Sequence, residues 1–280
     1  MLTAITATYL LADVTYTKSV KYTGGSMLGF LRNLVGSPLV QRMVGADIEA
    51  ALEDQAYTVY VKGSKMAQVA EGGSTIYDLD ANTITAIDSD KQTYTVETFD
   101  ELRAQIERAQ QWIRHPANSA VPFDVNIEKT DQTRAINGRT ATKSLITLAA
   151  QSDNAWGRPV VAVTTWLAPV DASTRPLYEF SKRAAAKLSS VFTLVPSFFG
   201  AATDNAAAPH APRLNGISVL DEIAVTGVTT PLAGLLGNRD AHANTPVLTL
   251  QIQSSNFSSG PVDDAKFTVP PGYRQQQQRN

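Results

Sequence analysis

From Lys62 to Lys91 the chain carries a turn signal every eight or nine residues: Lys62-Gly63-Ser64-Lys65, Glu71-Gly72-Gly73-Ser74, Asp80-Ala81-Asn82 and Asp88-Ser89-Asp90-Lys91. This cadence leaves five or six residues between turns. That is too short for a helix to bury a face and long enough for a strand. Gly, Asn and Asp take up turn backbone, and the Asp and Lys tips keep the turns in water. An antiparallel meander is the arrangement this spacing predicts.

The rhythm breaks at Thr98-Phe99-Asp100-Glu101, where Thr98 and Glu101 form a capping box. Phe99, Leu102, Ile106, Ala109 and Ile113 then recur at steps of three and four, one apolar stripe of a helix that His115-Pro116 ends. A second strand block follows. Val121, Phe123, Val125 and Ile127 alternate with polar neighbours. Asn137-Gly138 is a hairpin signal, and Thr140–Leu148 and Val160–Leu167 continue the block. A second helix is predicted from Arg175 to Phe192, with Thr174 as cap and Leu177, Phe180, Ala184, Leu188 and Val191 along one side. Strands at Ile217–Thr226 and Val247–Gln253, a short last strand at Phe267–Val269 and a polar tail at 274–280 complete the order.

Strands, helix, strands, helix, strands, with each helix striped on one side, predict an α+β class in which both helices lie across the hollow of the sheet. No composition break divides the chain, so residues 1–273 read as one domain. Val14, Tyr16, Lys18, Val20 and Tyr22 alternate with polar residues as a first strand, and two readings stand for residues 1–12: the start of that strand, or the remnant of a secretory leader ending near Ala12. An apolar insertion occupies 26–55, and a smaller apolar cluster follows the second helix.

Chemistry-bearing patterns are scarce. With no cysteine, disulfides and thiolate catalysis are excluded. A net charge of −2 supplies no field for nucleic acid. His115, His210 and His242 have no partner at metal-ligand spacing. The acidic tips at Asp78–Asp80 and Asp88–Asp90 lack a calcium loop's closing Glu and read as turns. Asp221 and Glu222 interrupt the apolar alternation Ile217, Val219, Ile223, Val225. They face opposite ways, so at most one is buried. It marks either a sheet edge or mouth, or a buried acid paired with Lys or Arg.

The segment YVKGSKMAQVAEGGSTIYDLDANTITAIDSDKQTYTVETFDEL, followed by NGRTATKSLI, TTWLAP, LNGISVLDEIAVTG and FTVPPGY, resembles a family of uncharacterised bacterial secreted proteins over residues 12–273. That family is similar in architecture to the lipoprotein carriers LolA and LppX. The resemblance implies a strongly curved antiparallel half-barrel whose concave face is covered by two main amphipathic helices, enclosing an apolar cavity.

The expected function is therefore a non-enzymatic protein of the periplasm or extracellular face, needing no cofactor or metal. It would bind a lipid or acyl chain, with an envelope protein as a further partner. Val59, Val61, Leu102, Ile106, Trp166, Phe180 and Leu188 are the cavity candidates. Phe30, Leu31, Leu34, Phe198 and Phe199 are candidates for a flap or a peripheral membrane contact. The same aliphatic residues also suit a filled core, which would leave a structural or interaction module of the envelope with no ligand.

Overall fold

The computed structural model describes residues 12–25, 54–102, 104, 123–151, 157–188, 201–202, 214–228 and 245–276. The predicted alternation and turns produce β1 (Val14–Gly24) and then the meander: β2 (Gln55–Lys62), β3 (Lys65–Ala70), β4 (Gly73–Asp78), β5 (Thr83–Asp88) and β6 (Thr93–Thr98). Two-residue loops join β2 to β3 and β3 to β4, where Lys62 pairs with Lys65 and Ala70 with Gly73. Gly63 and Gly72 take positive φ there. In the next two turns an aspartate organises the backbone. Asp78 Oδ1 accepts from the Asp80 and Ala81 amides, each at 3.0 Å, and Asp88 Oδ1 accepts from Lys91 N at 2.9 Å.

The capping box forms as the residues require. Thr98 N donates to Glu101 Oε2 at 2.7 Å, and Glu101 N donates to Thr98 Oγ1 at 3.1 Å. A helical turn opens at 99–102, and Ala104 is helical too; Arg103 and the predicted helix from 105 on, Ile106 included, lie outside the described residues. Beyond it come β7 (Phe123–Ile136), β8 (Arg139–Ala150) and β9 (Gly157–Ala168). Asn137 and Gly138, both at positive φ, turn β7 into β8. Helix α1 (Arg175–Leu188), β10 (Ala201–Ala202), β11 (Gly216–Val228), β12 (Leu248–Ser259), a 3-10 turn at Asp264–Phe267 and β13 (Arg274–Gln275) follow.

The strands form one open sheet in the order β13-β6-β5-β4-β3-β2-β1-β12-β11-β9-β8-β7, with β10 paired to β11 off that path. Every pairing is antiparallel except β13 with β6. This corrects the expected α+β half-barrel with two helices covering its concave face. The described residues are mostly strand, and one helix, α1, packs on the sheet among them. The reason lies in how the blocks join. β12 lies between β1 and β11 and zips the meander to the second strand block edge to edge, so strand pairing rather than helical cover carries the architecture. The C-terminal segment also differs from expectation. Asp263 caps the 3-10 turn by accepting from Ala265 N, so Phe267 belongs to a turn. The tail begins as β13, with Gln276 N donating to Tyr94 O at 2.8 Å.

The meander is packed on both faces. On one, Leu177, Phe180 and Ala184 of α1 meet Val14, Tyr16, Val59, Val61 and Met66, with Leu79 tucked in from its turn. On the other, Val262 and Phe267 cover Ala67, Ile76 and Ile87. Lys62 ties that cover down through Val262 O at 3.0 Å and Asp264 at 2.8 Å. Thr174 occupies the cap position of α1, and its carbonyl accepts from Tyr178 N at 3.1 Å. Its hydroxyl bonds Asp171 instead of the helix. Burial alone would raise the Asp171 carboxyl. Hydrogen bonds from Ser173, Arg139 and Thr174 more than offset this and hold it far below the usual carboxylate range.

Candidate functional site

Cross-strand register decides which side chains share a face, because successive residues of a strand point to opposite sides. Lys18 of β1 stands opposite Ser254 of β12. Asp221 of β11 stands opposite Ile252, two residues from Ser254 and on its face, and opposite Thr165 of β9. Thr165 in turn stands opposite Ser144 of β8, and Ser144 opposite Lys129 of the edge strand β7. No register shift intervenes at these positions, so the side chains form a single polar strip across five strands and reach a sixth at its exposed end.

The strip is buried. Asp221 and Thr165 are 0% exposed, Ser144 and Ser254 4%, and Lys18 8%; Lys129 alone is open to water. Ser218 Oγ, itself buried, donates to an Asp221 carboxylate oxygen. Burial pushes the Lys18 ammonium down to about 8, against the opposing pull of Asp221. Thr165 Oγ1 has no hydrogen-bond partner among the described residues. A buried ammonium and carboxylate facing each other across β12 compensate part of each other's desolvation. The buried reading of Asp221 is thus the one found, with Lys18 as the cation, and Glu222 faces solvent as the alternation requires.

Two apolar regions flank the strip on the same face. Toward one end of the strands stands Tyr16, which stacks on Phe257 at 5.1 Å in the cluster under α1. Toward the other, Ile223 stands opposite Leu250 and Val163, Val163 opposite Ile146, and Ile146 opposite Ile127. Val161, Leu148 and Val125 make the next row. This aliphatic face spans β7, β8, β9, β11 and β12.

A groove of about 610 Å³ opens beside the strip. Its described lining includes Gln55, Tyr57, Gln68 and Thr75 of the meander. Tyr57 stands directly opposite Lys18, and Gln55 opposite Val20, so the groove and the strip lie on one face. The Tyr57 hydroxyl bonds Gln55 Oε1. A second groove, of about 550 Å³, lies among Asn137, Arg139, Asp171, Asn256 and Phe257 at the β7–β8 turn. There Arg139 is already held by Asp171 at 2.6 Å and lies over the Phe257 ring at 4.9 Å.

Among the described residues, the sequence-predicted cavity residues fall in separate clusters. Val59, Val61 and Phe180 are fully buried in the α1 cluster, where they contact one another's neighbours and fill the core. Leu102 is half-buried in the turn after β6. Trp166 belongs to a different cluster, with Ile136, Ala141, Ala168, Val219 and Leu220. Leu188 ends α1, and its side chain lies outside the described residues, as do Ile106, Phe30, Leu31, Leu34, Phe198 and Phe199. Lys18, Thr165 and Ser144 were missed. Only the charge in the middle of the β11 alternation, Asp221, signalled the strip.

No protein-family profile matches the chain. No curated protein matches it either. The likeness to the LolA and LppX group therefore rests on the quoted motifs alone. Among the described residues no helix is long and apolar enough to cross a membrane.

Proposed function

We propose that the chain is a non-enzymatic protein of the cell envelope that binds an amphipathic, largely apolar small molecule on the face carrying the polar strip, not beneath α1. One observation carries the reading. On a single face, a buried aliphatic cluster on β7, β8, β9 and β11, with Leu250 and Ile252 of β12 packed against it, lies beside the buried polar strip, and a groove of about 610 Å³, within the range of small-molecule sites, opens at the Lys18 end of that strip. An acyl chain gains about 25 cal/mol for each Å² of its own apolar surface that it buries on entering. The polar strip marks where such a chain must stop. The envelope location is supported by the secreted-protein motifs.

A second reading, an interaction module without a ligand, is favoured by the filled core under α1. Strand addition at the β7 edge does not recommend it. Asp124, Glu128, Lys129, Asp131 and Arg134 are exposed along β7, and an irregularity between Lys129 and Thr133 breaks the ladder, both of which discourage pairing.

The experiment is thermal unfolding of delipidated protein with monoolein, oleate or dioleoylphosphatidylglycerol. A ligand at about a hundred times its Kd raises the midpoint by roughly 5 °C or more. Thr75→Trp, which fills the half-exposed groove without putting a charge in the core, abolishes the rise. No shift with any of the three amphiphiles refutes the proposal.

A further inference from the structure

Resting on the reading above, we infer that the ligand's polar end is uncharged and rich in hydroxyls, as in a monoacylglycerol, and that it sits in the groove of β2–β5, with Lys18 at the groove's edge. The groove's chemistry points this way. Gln55, Tyr57, Gln68 and Thr75 line it with neutral amides and hydroxyls, which both donate and accept. The charged residues among its described lining are Asp54 and Glu71, both acidic. Exposed Lys21, 3.8 Å from Asp54, offsets that one in part.

An anionic head would meet like charge at the rim, which disfavours the wrong ligand as effectively as good contacts favour the right one. Lys18, opposite Tyr57 at the groove's edge, is already balanced by Asp221, so an anionic head finds little to gain from it.

The test compares affinities of the full chain for monoolein and for oleate, which differ only in the head, measured below their aggregation concentrations. Wild type binds monoolein at least tenfold more tightly. Asp54→Lys with Glu71→Lys, both at exposed positions, removes the acidic rim and narrows the gap to threefold or less by tightening oleate. Gln68→Leu keeps the side chain's size and weakens monoolein about tenfold, the worth of one lost hydrogen bond; unchanged affinity would put the head outside the groove and overturn the inference. Oleate binding as tightly as monoolein in wild type overturns the neutral-head inference and leaves the carrier reading standing. Failure of both ligands to bind overturns the carrier reading itself.

Discussion

Strands β3 to β6 are six residues each, whereas β7, β8, β9, β11 and β12 run from 12 to 14. The short strands are covered on both faces, by α1 and by the C-terminal segment. The long ones carry the aliphatic face, the larger part of the buried polar strip and the bulges of β9 with β11 and of β7 with β8. Covering both faces of a short meander uses its apolar residues up in packing. Longer strands have residues to spare, and here some of them are polar and buried, where polarity costs stability. A wholly apolar packing and a buried, chemically mixed one thus occupy different halves of one sheet, with β1 and β12 as the join.

The largest test of this contrast is Phe180→Ala. A fully buried phenylalanine in a filled cluster costs about 3–5 kcal/mol when truncated. Denaturant unfolding should show that loss while the stabilisation by amphiphile stays the same. A loss under about 1 kcal/mol would mean the α1 half is not filled as described.

Next in size is the pH dependence from Lys18. Its folded pKa, about 8, lies below that of a free lysine, so the unfolded chain holds the proton more tightly. Below about pH 8 both states are protonated and the burial cost stands in full; as pH rises from 8 toward 10.4 stability recovers, by about 3 kcal/mol in all. Lys18→Met removes this recovery. Subtracting the variant's pH profile from that of wild type isolates it from the tyrosines, Tyr77 among them, whose hydroxyl burial raises to about 12. A flat difference would show Lys18 in contact with water.

The smallest effect separates the two halves by their glycines. Gly227 has φ +69, and a Cβ there would meet Arg158 O at 2.0 Å. Gly63 has φ +56 and nothing within 4 Å. Gly63→Ala therefore pays only for the left-handed backbone, about 1 kcal/mol. Gly227→Ala adds a backbone clash in the bulge of β11 and should cost at least about 2 kcal/mol. Equal costs by thermal unfolding would mean the bulge yields freely.

Local chemistry was legible in the residues and long-range register was not. Thr98 and Glu101, Asn137-Gly138, and the aspartate turns at Asp78 and Asp88 each dictate their own backbone, and each forms as read. Phe267-Thr268-Val269 has strand composition, yet Asp263 and Asp264 just before it win it for a 3-10 turn. The half-barrel expectation failed because a striped helix says only that it needs a surface, not how many strands will bury one another first. Lys18 sits in an alternation where a lysine passes for an edge residue whose head reaches water. Its neighbours across the sheet come from β12 and β11, and irregularities near Tyr16 and Val219 change which residues stand opposite. Thr165 and Ser144 have the composition of any strand. Asp221 was visible only because a carboxylate is costly among Val and Ile.

The pairing of β1 with β12 joins Val14 to Ser259. During synthesis β2 to β6 can pair as they leave the ribosome, but the segments that cover them, α1 and then Val262 and Phe267, are made later, and the first strand has only β2 to rest on while its other flank stays open. Contacts between residues so far apart in the chain form slowly. Until residue 259 has been made, the nascent protein carries Lys18 at an unfinished border, and that is the stage at which a chaperone has most to protect.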